Sequence, residues 1–251
     1  MIRNLIYHVC PLTTNDLWRR NIEQLVARIS VFNGKKTIAV VDGDPERLHP
    51  IEAVQEMFVG TGCHFIRARN CQFLREVATF RKLLDSVANL KVNHCTFYAH
   101  TKGNSTYGDV SGAVYWRNVM YHKLLDCWHG CIDLLEDGIP AVGTHKMVWD
   151  IQQRPPYPTR LRHGHWMFAG TFFWFRNESI FNHQKWTAIP QDRYGAEAWL
   201  SGMFEPDQVH SVFQPWPEYV YPTPDPYDPK LYIKAGMAIP DEELKQPSYC
   251  I

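Results

Sequence analysis

The sequence predicts an α/β fold, a single domain with a mostly parallel central sheet flanked by helices. Short apolar runs alternate along the chain with segments whose apolar residues recur at helical spacing. The apolar runs open onto polar loops, as buried parallel strands do. The chain has 251 residues, of which 45% are hydrophobic and 21% charged, so it can bury a sizeable core.

The first half of the chain repeats the order strand, helix, strand, which implies right-handed crossover units. "NLIYHVCP" is predicted as a strand, and "TTNDLWRRNIEQLVARIS" as a helix that Thr14 or Asn15 can cap. "TIAVV" is a buried strand that opens onto "DGDPERL". A short helix from Ile51 to Phe58, a strand at "CHFIRAR", a helix in "QFLREVATFRKLLDSVANL" and a strand at "CTFYAH" continue the alternation.

The second half continues with less regular spacing. Helical spacing recurs at Trp116, Met120, Leu124 and Cys127. "DGIPAVG" gives a turn and a strand, "WMFAGTFFWF" is predicted as one strand, and "NESIFNHQKW" and "YGAEAWLSGMF" as helices. Residues 152–165 are too polar and proline-rich for regular structure. We expect residues 1–214 to form the domain and the Pro/Tyr-rich residues 215–251 to form an irregular tail packed on it.

Bulk composition excludes several classes of partner. Twenty-six basic residues balance twenty-six acidic ones, so nucleic acid is not expected as a partner. No apolar stretch approaches the roughly 20 residues that span a bilayer, and the amino terminus lacks signal-peptide features. Seven cysteines without framework spacing indicate reduced thiols and a cytoplasmic location. "CWHGC" could bind a metal, but core thiols are favoured.

Two segments place polar groups where neighbouring strands end. In "VVDGDPE", Asp42 and Asp44 could bind a divalent ion, accept hydrogen bonds from a nucleoside or supply a nucleophile. An ordinary turn explains them equally well. In "RARNCQFLRE", Asn70 could begin a helix and Arg75 could hold an anion at its start. A plain cap with a solvated arginine is the alternative, and these residues alone favour it.

"YAHTKGNS" brings two cations to the end of a strand, which favours a functional site over a polar loop. His100 and Lys102 suit a phosphate, above all one that gains charge as a leaving group. Gly103 allows close backbone approach. Arg117 follows one short loop later and is expected to reach the same cleft.

The last candidate site lies in "FAGTFFWF" and "YGAEAWL". Gly170 and Thr171 interrupt the predicted strand, as happens where a backbone closely approaches a ligand. Glu197 stands in a predicted helix beside Trp199. A carboxylate in such an aromatic setting can act as a general base, and a solvated helix face is the alternative.

The order of these motifs resembles that of nucleotide-sugar-dependent glycosyltransferases of the GT-A type. "IAVVDGDPE" stands where that family often carries a "VVDDGS"-like run, and "ARNCQFLRE" resembles its later Asn-containing helix start. "GTFFWFRNESI" resembles the segment that shapes the acceptor site. "HTKG", "WR" and "GTFFWFR" also resemble polysaccharide-biosynthesis proteins related to rhamnan synthesis protein F. The resemblance runs from about residue 3 to residue 205 and implies a GT-A-like, Rossmann-type domain.

This resemblance implies transfer of a sugar from a nucleotide-sugar donor to a hydroxyl of a glycan or other acceptor. His100 and Lys102 would neutralise the leaving diphosphate, and Glu197 would deprotonate the acceptor for displacement with inversion. The donor side is expected to comprise Asp42, Asp44, Asn70, Arg75, Gly103 and Arg117. The acceptor side is expected to comprise Gly170, Thr171, Trp174 and Trp199.

The chain departs from the family at the Asp-X-Asp motif that holds Mn²⁺ or Mg²⁺ on the donor diphosphate. That position reads His100-Thr101-Lys102. The sequence therefore places a divalent metal in doubt and offers side-chain cations instead. Two other functions stay open. A phosphatase of the haloacid dehalogenase type would use Asp42 and Asp44, although Pro45 and Glu46 replace its usual Gly-Thr. A non-catalytic carbohydrate-binding module would use the aromatic rings.

Overall fold

The computed structural model describes residues 1–101, 111–148 and 164–215, together with residue 230. Its strands are β1 (Ile2–Val9), β2 (Lys36–Asp42), β3 (His64–Arg69), β4 (His94–His100), β5 (Ala141–Gly143), β6 (Lys146–Val148), β7 (Trp166–Phe168), β8 (Phe173–Arg176) and β9 (His210–Ser211). Its α-helices are α1 (Leu17–Val26), α2 (Ile51–Met57), α3 (Val77–Val87), α4 (Ser111–Tyr121), α5 (Trp128–Glu136), α6 (Asn177–Phe181) and α7 (Gly195–Ala198). Short 3₁₀ turns cover Ile29–Val31, Leu200–Gly202 and Pro206–Gln208.

Seven of these strands form one sheet in the order β3-β2-β1-β4-β8-β5-β9. β1 pairs in parallel with β2 and with β4, and β2 pairs in parallel with β3. β8 runs antiparallel between β4 and β5, and β9 is parallel to β5. Six of the seven strands therefore point the same way, which confirms the predicted α/β fold. β6 and β7 form a separate antiparallel pair.

The sheet separates two hydrophobic cores. Residues of α1, α2, α4 and α5 pack on one face, and residues of α3, α6 and α7 pack on the other. Within β1, Leu5 and Tyr7 belong to the first core and Ile6 to the second, because successive strand side chains point to opposite faces. All three are fully buried, so β1 is a central strand, as its continuous apolar run predicts.

The first helix follows its sequence signals closely. The N-cap residue of α1 is Asp16 rather than Thr14 or Asn15, although the Asn15 side-chain oxygen accepts the backbone N–H of Leu17 at 3.1 Å. Trp18 and Ile22 are fully buried one turn apart. The helical spacing of the apolar residues therefore correctly predicts which face of α1 contacts the sheet.

The third helix begins later than its apolar pattern predicts. α3 starts at Val77, and its N-cap is Glu76 rather than Asn70. Arg75 adopts a φ of 52°, a left-handed conformation that a helix cannot contain. Phe73, which was expected on the buried helical face, is 70% exposed. Residues 71–76 therefore form a turn between β3 and α3.

The prediction of one strand over "WMFAGTFFWF" is wrong. Gly170 and Thr171 have φ values of 93° and 62°, and two successive left-handed residues break an extended chain. The segment before them, β7, pairs with β6, whereas the segment after them, β8, lies between β4 and β5 in the main sheet. One apolar run thus supplies strands to two different sheets.

The segment around "CWHGC" is helical and interrupted. α4 gives way to a π-helical turn at His122–Asp126 before α5 begins at Trp128. Cys127 is exposed at this junction, whereas Cys131 is buried as a core thiol. The described part of the chain contains no group of three or more His, Cys, Asp or Glu residues that could hold a metal ion.

Two of the predicted segments lie wholly or largely outside the described residues. They are the proline-rich loop, of which residues 164 and 165 are described, and the tail, of which residues 215 and 230 are described. Among the helices that the structure describes, none combines the length and the apolar character needed to cross a membrane.

Candidate active site

The strand order reverses between β1 and β4. The chain leaves β1 for β2 and β3 on one side and then crosses to β4 on the other. Ligands of open α/β sheets bind at the carboxyl ends of the strands beside such a reversal. Here the two strand ends are joined, because the Thr101 N–H donates to the His8 carbonyl at 3.0 Å. The Cys10 N–H donates in turn to the Thr101 hydroxyl oxygen at 3.1 Å.

A polar cleft opens at this edge, at the carboxyl ends of β2 and β3. Its volume is about 170 Å³, and its lining consists of Asp42, Gly43, Asp44, Arg69, Asn70 and Gln72. The Asn70 N–H donates to the Asp42 carbonyl at 3.2 Å, which fixes the two strand ends relative to each other. Parallel pairing of β2 with β3 therefore brings together three of the predicted donor-side residues, Asp42, Asp44 and Asn70.

The two carboxylates of the cleft differ in their charge partners. Asp42 Oδ2 lies 2.9 Å from Arg67 Nε, and Arg67 also lies 3.4 Å from Glu52. Asp44 has a looser partner, with its Oδ2 4.0 Å from Arg47 Nε. The Asp44 carboxylate, 35% exposed, is consequently the better placed of the two to accept hydrogen bonds from ligand hydroxyls.

Arg75 does not lie in the first turns of a helix, where the sequence placed it. Its backbone N–H donates to the Cys71 carbonyl at 2.7 Å within the turn before α3. The anion site required Arg75 inside the first turns of a helix begun by Asn70, whereas the helix begins two residues after Arg75. Arg69, which the sequence analysis passed over, is the arginine that lines the cleft.

His100 is the last residue of β4, and its ring contacts Gly170 and Phe172. Its Nε2 lies 3.1 Å from the Gly170 carbonyl oxygen, and its ring centroid lies 5.7 Å from that of Phe172. Because a carbonyl oxygen only accepts hydrogen bonds, Nε2 carries the proton of this contact. This contact ties the end of β4 to the turn at Gly170. Lys102 and Gly103 lie outside the described residues.

Arg117 is buried inside the domain instead of reaching the cleft. Its side chain is 1% exposed, and its Nε and Nη2 donate to Asn118 Oδ1 at 3.0 and 2.9 Å. The hydroxyls of Tyr7 and Tyr121 lie 3.1 Å apart. Burial raises the pKa of Tyr121 to about 12, and the Arg117 charge partly opposes this rise. The positive charge of Arg117 therefore opposes the rise in pKa that burial causes in both tyrosines, Tyr7 and Tyr121.

The predicted acceptor residues belong mainly to the core. Trp174 and Trp199 are 0% and 1% exposed. Their indole N–H groups donate to the carbonyls of Leu124 and Trp186 at 2.7 and 2.8 Å. Rings enclosed in this way have no face left for a sugar, so the assignment of these two residues to the acceptor site is wrong.

The close backbone approach predicted at Gly170 is made by a helix. A Cβ at Gly170 would lie 2.9 Å from Met120 Sδ and 3.0 Å from the Trp116 ring, so α4 occupies that space. Thr171 is fully buried, and its hydroxyl has no hydrogen-bond partner in the part of the chain that the structure describes. These contacts explain why the chain needs glycine at position 170.

A second polar group lies beneath the ends of β1 and β4. His8 Nδ1 lies 2.7 Å from Thr79 Oγ1, and burial lowers the pKa of His8 to about 4. Tyr98 is fully buried, and its hydroxyl has no hydrogen-bond partner among residues 1–101, 111–148 and 164–215. Burial raises the Tyr98 pKa well above its usual value, and the charges of Glu76 and Glu197 raise it further.

This second group contains Glu197, the predicted base, together with residues that sequence reasoning missed. Glu197 is half-buried on α7. Burial raises the pKa of Cys10 to about 11, and the charge of Glu76 adds to the rise. The negative charge of Glu76, the N-cap residue of α3, therefore raises the pKa of both Cys10 and Tyr98. The register that sets His8 beside His100 creates this grouping, and no local sequence signal reveals it.

Comparisons with known proteins give likenesses of fold. No family profile and no curated protein matches the chain. A solved 4-diphosphocytidyl-2C-methyl-D-erythritol synthase is 12% identical over 84% of this chain and 89% of its own, with a TM-score of 0.42. S. aureus TarS 1–349, solved in complex with UDP-GlcNAc, is 10% identical over 80% of this chain and 54% of its own, with a TM-score of 0.35. The functional argument therefore rests on the site.

Proposed function

We propose that this protein is a glycosyltransferase that moves a sugar from a nucleotide-sugar donor to an acceptor hydroxyl. The observation that carries the proposal is the polar cleft at the carboxyl ends of β2 and β3, beside the strand-order reversal. Asp42, Asp44 and Asn70 meet there. Carboxylate and amide groups can hydrogen-bond to the ribose hydroxyls and to the edge of a base.

The leaving diphosphate would extend from this cleft along the sheet edge. Arg69 lines the cleft and can contact phosphate oxygens through its planar guanidinium. Lys102 is the second cation of the proposal, as the sequence suggests. His100 takes a different part from the one first expected, because its Nε2 faces the Gly170 carbonyl at 3.1 Å. In the proposal it joins the end of β4 to the acceptor-side turn.

Glu197 is the proposed base that removes the acceptor proton for in-line displacement with inversion. Glu197 is half-buried, and its negative charge raises the pKa of Tyr98, which lies in β4. The acceptor would then approach from the side of α7, opposite the nucleotide cleft across β1 and β4. Metal dependence is left to experiment, since Asp42 and Asp44 could also hold Mn²⁺ or Mg²⁺.

A binding experiment tests the donor side. The purified chain is titrated calorimetrically with each nucleoside diphosphate, with and without Mn²⁺. We expect one diphosphate to bind and Asp44→Asn to weaken its binding by about tenfold, the loss of one or two hydrogen bonds to a charged group. The control is Asp85→Asn, whose carboxylate lies on the exposed part of α3, 2.9 Å from Arg81 Nε. The proposal fails if no nucleoside diphosphate binds under either condition.

A transfer assay tests the chemistry. We expect Lys102→Ala and Glu197→Gln to lose most turnover while keeping the wild-type melting temperature. Glu197→Gln should leave the affinity for the diphosphate unchanged, because the base acts on the acceptor. Release of phosphate from a simple phosphomonoester, with loss of that activity in Asp42→Asn, would instead show a phosphatase.

A further inference from the structure

Phe73 is a solvent-exposed aromatic residue that is adjacent in sequence to a residue of the cleft. Its side chain is 70% exposed, whereas every other Phe, Trp and Tyr ring in the described part of the chain is buried or half-buried. It follows directly after Gln72, which lines the cleft together with Asn70. The helical position that would have buried this ring does not exist, because α3 begins four residues later.

The turn that carries Phe73 is fixed by its backbone and by one apolar anchor. The Arg75 N–H donates to the Cys71 carbonyl at 2.7 Å, and the Val77 N–H donates to the Leu74 carbonyl at 3.1 Å. Leu74 packs against the second core. The turn therefore half-buries Leu74 and leaves Phe73 exposed. The exposure of Phe73 is a feature of a hydrogen-bonded turn.

The position of Phe73 separates it from the other large apolar side chains that are exposed. Among the described residues these are Ile2, Val59 and Val92. Ile2 begins β1, Val92 lies two residues before β4, and Val59 lies five residues before β3. All three stand at or near the amino-terminal edge of the sheet. Phe73 stands at the carboxyl-terminal edge, where the cleft opens.

The cleft itself lacks an aromatic surface. Its lining consists of carboxylate, guanidinium and amide side chains and one glycine. Such groups bind the hydroxyls, phosphates and hydrogen-bonding edges of a ligand, but they leave the faces of a planar heterocycle without a partner. A nucleobase needs both kinds of contact, because every base has a polar edge and a π face.

We propose that Phe73 is a ligand-binding residue that stacks on the nucleobase of a nucleotide held in the cleft. This inference rests on the proposed function, since it assigns the base-binding surface of the same site. It makes Phe73 the aromatic face and Asp44 and Asn70 the polar groups of one nucleotide site. Stacking of this kind tolerates different bases, so Phe73 sets affinity and the polar groups set selectivity.

Calorimetry on the full-length protein tests the assignment. The probes are the nucleoside diphosphate that binds the wild type most tightly and inorganic pyrophosphate, which has no base. We expect Phe73→Ala to weaken nucleoside diphosphate binding by about tenfold, which is about 1.4 kcal/mol. Phe73→Tyr, which keeps the ring, should stay within about twofold of the wild type, and pyrophosphate binding should not change in either variant.

The control variant is Val92→Ala, which removes a 76% exposed apolar side chain at the opposite edge of the sheet. It should bind both probes like the wild type. Unchanged nucleoside diphosphate binding in Phe73→Ala would overturn the inference and leave the proposed function standing. Equal weakening of pyrophosphate would also overturn it, because Phe73 would then only support the turn. A wild-type protein that binds no nucleoside diphosphate would overturn the proposed function and this inference together.

Discussion

His8 makes the stability of this protein depend on pH in a way that can be isolated. His8 lies one residue before the end of β1, is 4% exposed, and its Nδ1 lies 2.7 Å from Thr79 Oγ1. The Thr79 hydroxyl donates to the Glu76 carbonyl at 3.1 Å, so His8 Nδ1 donates to Thr79 and Nε2 is unprotonated. Burial lowers the pKa of His8 from 6.5 to about 4.

The sign of the effect follows from where the proton binds. Below pH 6.5 the unfolded chain takes up a proton at position 8, whereas the folded protein does not until about pH 4. The contribution of His8 to the free energy of unfolding is therefore fully present above pH 6.5 and decreases as the pH falls from 6.5 to about 4. The two pKa values differ by about 2.5, which corresponds to about 3 kcal/mol in all.

The measurement is the free energy of unfolding in urea between about pH 7.5 and about pH 5, for the wild type and for His8→Asn. Asparagine keeps an N–H donor for Thr79 but does not titrate. Over this range we expect the wild type to lose about 2 kcal/mol more than the variant. The other histidines contribute equally to both proteins and cancel in the difference. Parallel pH profiles would refute the reasoning.

Two further predictions test the packing of the sheet. Gly143→Ala should destabilise the protein by about 1–3 kcal/mol, because its Cβ would lie 2.5 Å from the Phe168 ring. Its control, Gly130→Ala in α5, meets no atom within 4 Å and should stabilise by about 0.5–1 kcal/mol in the same urea titration. Asn177→Leu should cost about 2 kcal/mol or more, since Asn177 Oδ1 accepts the buried Thr96 hydroxyl at 2.6 Å. A change of only a few tenths in thermal or urea unfolding would contradict that assignment.

The early strands and helices were predictable because their signals are local. A continuous apolar run such as that of β1 and the spacing of Trp18 and Ile22 in α1 depend only on nearby residues. Strand order and register depend on contacts between distant segments. The sequence therefore contains His8 and His100 but does not indicate that β1 and β4 place them side by side.

The predicted start of α3 and the predicted continuity of the late strand are wrong for the same physical reason. α3 begins late next to Arg75, and the predicted late strand divides at Thr171. Each residue is a non-glycine with positive φ, at 52° and 62°. Sequence reasoning assigns such a conformation to glycine or asparagine, so Arg75 gave no warning, and at the second site only Gly170, next to Thr171, marked an interruption. At the first site, the late start of α3 leaves Phe73 exposed, which is the observation behind its proposed role.

The same distinction separates the predicted site residues that the structure brings together from those that it buries. Asp42 and Asn70 come together because Asp42 ends β2 and Asn70 directly follows β3, the adjacent parallel strand, and strand ends are visible in sequence. Arg117, Trp174 and Trp199 are long amphipathic side chains inside helices or strands. Whether such a side chain faces a ligand or the core is decided by the elements that pack over it, and here all three are enclosed.

The cleft and the second polar group lie at the ends of different strands of the sheet, and this separation constrains the proposed reaction. The cleft follows β2 and β3, whereas the charges of Glu76 and Glu197 act beneath β1 and β4. In the proposal Asp42 and Asp44 contact the nucleoside and Glu197 removes the acceptor proton, so donor binding and proton removal use different carboxylates. A donor whose base meets Phe73 and whose phosphates meet Arg69 would direct its sugar toward β1 and β4. The reacting carbon of the sugar would then lie between the proposed cations, Arg69 and Lys102, and the proposed base, Glu197.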